Sequence, residues 1–129
     1  ENSGLLSVAA LKQMDCENKK IVSILSGGNM DIITMSSMLQ HGLIERERIF
    51  TVSVLLPDKP GELVKVANVI ATEQGNVVKL EHNQFVSINR NAAVELKITL
   101  EAFGHEHKQQ IIKALKKEGY TVKLTHPNL

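Results

Sequence analysis

The chain has 129 residues, about one average domain, with 15 basic and 14 acidic side chains and a formal net charge of +1. That balance excludes a dedicated binder of polyanions, and 43% hydrophobic with 22% charged residues excludes a disordered, collagen-like or coiled-coil chain and requires a packed core. Aromatic residues make up only 3%, with no Trp, so the core rests on Val, Ile, Leu, Met and Ala, and stacking platforms for bases are nearly absent.

The first element is a short apolar-rich helix from Leu5 to Met14. Cys16, the one cysteine, cannot form an internal disulfide. It stands between Asp15 and Glu17, an anionic setting unsuited to a nucleophile, and reads as a bystander. Ile21 to Leu25 is mostly apolar on both faces, which predicts a strand inside a parallel sheet covered on both sides. Met30 to Gln40 predicts a helix with Met30, Ile32, Ile33, Met35, Met38 and Leu39 around more than one face, closed by Gly42. Such elements cannot bury themselves alone. Residues 1–45 therefore read as the α-β-α end of a larger α/β domain, with a solvated linker at 46–48 inside Glu45-Arg46-Glu47-Arg48. A chain that opens at Glu1 without Met reads as a piece of a longer protein. No leader and no apolar run of about 18 residues is present, so a reducing, cytoplasmic setting and no membrane partner are expected.

From residue 50 the sequence nearly repeats itself at an offset of 44, since Gly75 falls on Gly119 and Phe50 on Val94. Gly75-Asn76-Val77-Val78-Lys79-Leu80-Glu81-His82 lies over Gly119-Tyr120-Thr121-Val122-Lys123-Leu124-Thr125-His126, with Gly, the second Val, Lys, Leu and His identical. Phe50, Val52, Val54 and Leu56 alternate with polar or exposed-type neighbours, as do Val94, Leu96, Ile98 and Leu100, and period two predicts strands with one buried face. Leu63, Val66, Ala67 and Ile70, then Ile111, Ile112, Ala114 and Leu115, recur at helical spacing. Gly75 and Gly119 sit where a positive φ stops a helix. Two such copies, joined by the turn-rich Asn83 to Asn91 segment, predict an α+β, ferredoxin-like βαββαβ domain over 49–129, with two helices on one face of an antiparallel sheet.

Ser26-Gly27-Gly28-Asn29 follows the first predicted strand and opens a helix, a place that suits anionic or polar ligand atoms, although two glycines also make a plain tight turn. The stretch Ile21 to Asp31, preceded by Glu1-Asn2-Ser3-Gly4 and Ala9-Ala10-Leu11, resembles the C-terminal signature of the threonine dehydratase and serine racemase branch of pyridoxal-phosphate enzymes. The resemblance implies that Ser26 would hydrogen-bond the pyridine nitrogen of pyridoxal phosphate in an intact parent enzyme. The lysine, phosphate-cradling and substrate-carboxylate segments of that family belong upstream of Glu1. No catalysis and no bound cofactor are therefore expected of this chain alone.

Asp58-Lys59-Pro60-Gly61-Glu62-Leu63 resembles the Asp/Asn-x-Pro-Gly-x-Leu signature of ACT domains, small amino-acid-sensing modules. Physically, Pro60 suits a first helical turn, where its missing N–H costs nothing, and Gly61 leaves no Cβ in a ligand's way. A ligand carboxylate would then accept N–H groups near Gly61 and Glu62, and Asp58 would suit its ammonium. Asp58 equally suits an N-cap, and Asn76 a turn residue. The resemblance implies an effector, isoleucine or valine, bound at Asp58, Pro60, Gly61, Glu62 and Leu63, with Leu56 and Asn76 as weaker contributors at a subunit boundary. It further implies a homodimer through this domain and a higher oligomer in the parent.

His105 and His107 at a helix start, and His82 and His126 at matching repeat positions, invite a metal reading, but no fourth ligand is apparent and no metal is expected. Lys108, Lys113, Lys116 and Lys117 read as a solvated face. Two rivals remain for the domain: a module serving assembly alone, and an RNA-binding sandwich of the same element order. The second needs aromatic residues on the central strands, where this sequence offers Thr51, Ser53, Glu95 and Lys97, so no nucleic-acid partner is expected.

Overall fold

In Ile49–Pro57 (β1) every second side chain, Phe50, Val52, Val54 and Leu56, is 3% exposed or less. The same alternation buries Val94, Leu96, Ile98 and Leu100 in Ala93–Glu101 (β3). The two strands pair antiparallel from Ile49↔Glu101 to Pro57↔Ala93, so both apolar rows fall on one face. Asn76–Asn83 (β2) pairs with β3 and Thr121–Thr125 (β4) with β1, giving the sheet order β2-β3-β1-β4 with β2 and β4 at the edges. A bulge between Val77 and Lys79 interrupts β2.

The computed structural model describes residues 2–83 and 93–127. Of the segment Asn83 to Asn91 expected to join the two halves, Asn83 ends β2 and residues 84–91 lie outside the described residues.

Two helices complete this layer, Glu62–Thr72 (α3) and His105–Lys117 (α4). Two further helices, Leu6–Leu11 (α1) and Ile32–Glu45 (α2), lie nearer the start of the chain. Val66 and Ile70 of α3 and Ile111, Ile112 and Leu115 of α4 enter the same core as the strand residues, with Val69, Tyr120 and Val122 at its border. The expected α+β arrangement of a four-stranded antiparallel sheet with helices is present. The inward stripe of α3 is narrower than its apolar spacing suggested: Leu63 is 44% exposed and Ala67 is exposed.

The helix stops differ from the expected repeat. After α4, Gly119 takes φ +89, its N–H donates to Lys116 O, and the Tyr120 N–H donates to Leu115 O, the paired bonds of a left-handed helix ending. After α3 the same two bonds run from Gln74 to Ala71 and from Gly75 to Ile70, so the left-handed residue is Gln74, at φ +61, and not Gly75. Gly75 is held for space instead. A Cβ there would fall 2.9 Å from Ile70 Cγ2 and 3.0 Å from Ile111 Cδ1. The structural match of the two helix ends is therefore displaced by one residue from the sequence match.

The chain divides into two compact units, Glu1–Gln40 and His41–Leu129. In the first, a 3₁₀ turn at Asn2–Leu5 leads into α1. The strand expected at Ile21 to Leu25 does not form: these residues are coil, with Val22 89% exposed. A strand needs a neighbour to take its N–H and C=O groups. Among the described residues of this unit none supplies a ladder. The segment is instead tied by side chains: Ser23 donates to Ser7 Oγ, and Ser7 donates to Ile24 O at 2.8 Å. Gly4 is buried, and a Cβ on it would fall 1.7 Å from Ser26 O.

The following helix also departs from expectation. It runs through Gly42 to Glu45, and its left-handed stop is Glu47, at φ +54. Arg48 N–H donates to Leu43 O and Glu47 N–H to Ile44 O. The segment foreseen as a solvated linker makes specific contacts: Arg48 Nε donates to Ala102 O at 2.9 Å, and Glu47 accepts Lys108 Nζ at 2.8 Å.

Candidate functional site

The turn between β1 and α3 is the first candidate. Lys59 N–H donates to Pro57 O at 2.8 Å and Glu62 N–H to Lys59 O at 3.4 Å, with Pro60 and Gly61 between them. Gly61 has φ +91 and ψ −13. Pro followed by a residue of positive φ makes a type II β-turn, with Pro fixing the first corner and Gly supplying the second. Pro60 thus lies before the helix, not in its first turn as expected, and Gly61 is the N-cap. The N-cap alternative for Asp58 falls with it. No side chain caps α3, and a Cβ on Gly61 would meet nothing within 4 Å. An uncapped helix start carries outward N–H groups and a positive dipole end.

Asp58, Lys59, Pro60 and Gly61 are exposed around this corner. Leu63 is exposed beside them, an apolar surface at the foot of the helix. Leu56 is not available to a ligand, since it is 3% exposed and part of the core. Glu62 turns inward: its carboxylate accepts Lys65 Nζ at 2.7 Å and Tyr120 OH at 3.2 Å. The hydrogen bond from Lys65, with a smaller one from Tyr120, holds Glu62 below the usual carboxylate range. Burial first, then the Glu62 charge, pushes the Tyr120 phenol up. The pairing of Glu62 with Tyr120, 58 residues apart, has no sequence signal.

Asn76 stands elsewhere. It opens β2 opposite Glu101, which is itself opposite Ile49, at the end of the sheet where β1 begins. Its Nδ2 donates to Glu101 Oε2 at 3.2 Å. The Pro-Gly corner lies where β1 ends, so within one chain Asn76 and the corner occupy opposite ends of the sheet.

Asn76's end also holds the counterpart turn of the second half. Gly104, at φ +132 and ψ −166, takes a conformation open essentially to glycine alone and precedes α4. Phe103 stacks on His107 with ring centroids 5.0 Å apart. Phe103 N–H donates to His107 Nδ1, so the proton sits on Nε2, which donates to the Glu73 carbonyl. His105 Nδ1 is paired with Glu47. Both members of the His-x-His pair thus have protein partners, and His82 and His126 belong to opposite sheet edges. Among the described residues no three of His, Cys, Asp and Glu converge on one point. Lys108, expected on a solvated face, is 9% exposed, with Nζ 5.7 Å from the Phe50 ring centroid.

A groove of about 420 Å³ runs between α3 and α4, lined by Lys65, Asn68, Thr72, Lys117 and Tyr120 among others. None of the effector-site residues expected from sequence lines it.

In the first unit, Ser26 is exposed on coil, and the helix does not start beside it. Asp31 Oδ2 accepts the Thr34 N–H at 3.2 Å, five residues beyond Ser26, and fills the helix start with its own carboxylate. A pyridoxal phosphate ring requires a lysine and a phosphate cradle around it. An exposed serine on a coil segment does not by itself fit that requirement.

A stretch of 124 residues, 95% of this chain, is 34% identical to an L-threonine ammonia-lyase from Geobacter sulfurreducens. Another of 125 residues, 96% of the chain, is 27% identical to an L-threonine ammonia-lyase from Thermotoga maritima. The chain is homologous to a part of these enzymes. It spans 31% of the length of each. No family model matches. A crystal structure of an unknown protein from Galdieria sulphuraria aligns with a TM-score of 0.48 and 20% identity, over 63% of this chain and 50% of that one. No helix among the described residues is long and apolar enough to cross a membrane.

Proposed function

We propose that His41–Leu129 is an amino-acid-sensing regulatory domain of the ACT type, belonging to a threonine dehydratase. The parent would use pyridoxal phosphate to convert threonine to 2-oxobutyrate and ammonia. The observation that carries the reading is the type II turn at Pro60-Gly61, which leaves the start of α3 uncapped and open beside exposed Leu63. A free amino acid offers what this corner lacks: a carboxylate for the N–H groups, an ammonium for Asp58 and a branched apolar side chain for Leu63. Isoleucine or valine fits all three.

The separation of Asn76 from the corner has a symmetric answer. Exposed β2 is an edge strand, with Val78 half exposed. Pairing it antiparallel with β2 of a second copy, about a two-fold axis normal to the sheet, brings Asn76 of the partner subunit to the corner's end of the sheet. The proposed effector site is therefore completed by a homodimer. Feedback follows if the effector binds one subunit arrangement better than another, since only differential affinity shifts an equilibrium.

Thermal unfolding of the chain with each amino acid in turn tests this. Isoleucine or valine at a hundred times its dissociation constant stabilises by about 2.7 kcal/mol, and the others do less. A melting temperature indifferent to all amino acids, with dimerisation intact, would leave the domain as an assembly module only.

A further inference from the structure

Glu62 is the first residue of α3, and a carboxylate at that position is drawn to the N–H groups and the positive dipole end of its own helix. The N–H groups of Leu63 and Val64, the next two residues, have no partner inside α3. Yet no side chain caps the helix. The Glu62 side chain, only 14% exposed, turns inward instead, where one oxygen accepts Lys65 Nζ at 2.7 Å and the other accepts Tyr120 OH at 3.2 Å.

The two donors hold it differently. Lys65 stands three residues on along the same helix with 66% of its side chain exposed, so its long stem follows the carboxylate wherever that turns, and solvent screens the pair. Tyr120 comes from across the fold. Its ring packs half-buried at the border of the core, and its N–H is fixed on Leu115 O in the ending of α4. An O–H carried on a rigid ring at a fixed point gives the carboxylate one place to be, and that place is away from the helix start.

We infer that Tyr120 is a positioning residue for the Pro-Gly corner: it holds the Glu62 carboxylate off the start of α3 and so keeps the N–H groups there open to a carboxylate from outside. The inference rests on the amino-acid-sensing reading above and adds a control on the same site. Once released, Glu62 is a tethered competitor, an anion joined to the helix whose N–H groups it would occupy and therefore present at a high effective concentration.

Two measurements on the full chain test this, one with effector and one without. In calorimetric titration with isoleucine and with valine, Tyr120→Phe weakens binding by roughly three- to tenfold, as the loss of one hydrogen bond to a charged group implies. In a Glu62→Gln background the same substitution leaves affinity unchanged, because a neutral side chain competes poorly for the N–H groups. Equal losses in both backgrounds would overturn the proposal, since Tyr120 would then act by packing alone. So would a Tyr120→Phe chain that binds as tightly as the parent. In amide NMR without amino acid, the Leu63 and Val64 resonances follow titration through the carboxyl range further in Tyr120→Phe than in the parent, and the excess vanishes when Glu62→Gln is added. Absence of that excess overturns the proposal even where isoleucine binds. A parent chain that binds neither amino acid removes the sensing reading, and the amide titration then decides by itself whether Tyr120 keeps the helix start open.

Discussion

Residues 1–40 and residues 41–129 are both rich in aliphatic side chains, yet they use them in opposite ways. In the second unit Val52, Val54, Leu96 and Ile98 are fully buried. In the first, Val22, Ile24, Ile32 and Ile33 are each more than three-quarters exposed. Composition does not explain the difference; neighbours do. The alternating strands of the second unit find ladder partners within their own unit, and a pair of helices caps their apolar face. The mostly apolar run at Ile21 to Leu25 finds no ladder among the described residues of its unit, so hydrophobicity produces neither strand nor core there.

The sharpest way to break this comparison is to truncate the same residue type in both units. Ile98→Ala removes a side chain with no exposure and costs about 2–5 kcal/mol. Ile24→Ala changes stability by less than about 0.5 kcal/mol, as an exposed position should. Urea unfolding measures both. Comparable losses would mean that the first unit has a core of its own.

Glycines sharpen the same point at single atoms. Gly75→Ala forces a methyl group into Ile70 and Ile111, and the Ile70 carbonyl at 3.3 Å cannot swing away. The expected cost is about 1–3 kcal/mol. Gly61→Ala meets no atom but keeps φ at +91, which costs about 1–2 kcal/mol. The first variant should leave the amino-acid response of the folded protein unchanged, and the second should weaken it. Gly42→Ala runs the other way. It sits inside α2 with open space around it, and a better helix former there adds about 0.5–1 kcal/mol. Equal signs for Gly42 and Gly75 in chemical unfolding would contradict these assignments.

The same contrasts show what could be read from sequence. The strands β1 and β3 were legible because period two is a local property, and so were the helices and the left-handed stop at Gly119. Gly75 was misread because a glycine after a helix satisfies two demands that look alike in sequence. Only the approach of Ile111, 36 positions away, tells space from φ. Pro60-Gly61 was found as a motif, yet its geometry is that of a type II turn, since proline suits both a helix start and a turn corner. Asn76 could not be placed, because which end of the sheet a strand start occupies follows from topology. The bond from Tyr120 to Glu62 was invisible for a related reason: the fold brings the two together across 58 positions, and spacing does not.

The smallest effect concerns the charged segment between α2 and β1, where sequence suggested only solvation. Lys108, with a side chain 11% exposed, bonds Glu47 Oε1, and His105 pairs with the other carboxylate oxygen. The Lys108 hydrogen bond first, then that of His105, holds the Glu47 carboxyl below its ordinary 4.5. A folded-state value below the unfolded one means that the unfolded chain binds the proton more tightly. The contribution of Glu47 is therefore complete above about pH 4.5 and is lost as pH falls below it, through the lower folded value. Glu47→Gln should accordingly be less stable than the parent chain at neutral pH, and the gap should close as unfolding is followed into acid. Glu62 is lowered in the same direction by Lys65, so Glu62→Gln should show the same closing gap. Glu47 keeps 31% of its side chain exposed and Lys65, the main partner of Glu62, keeps 66%, so solvent screens both pairs and keeps the effects small. A gap that widens in acid would mean that Glu47 stabilises by shape and not by charge, and the segment would return to the solvated joint that its sequence suggested.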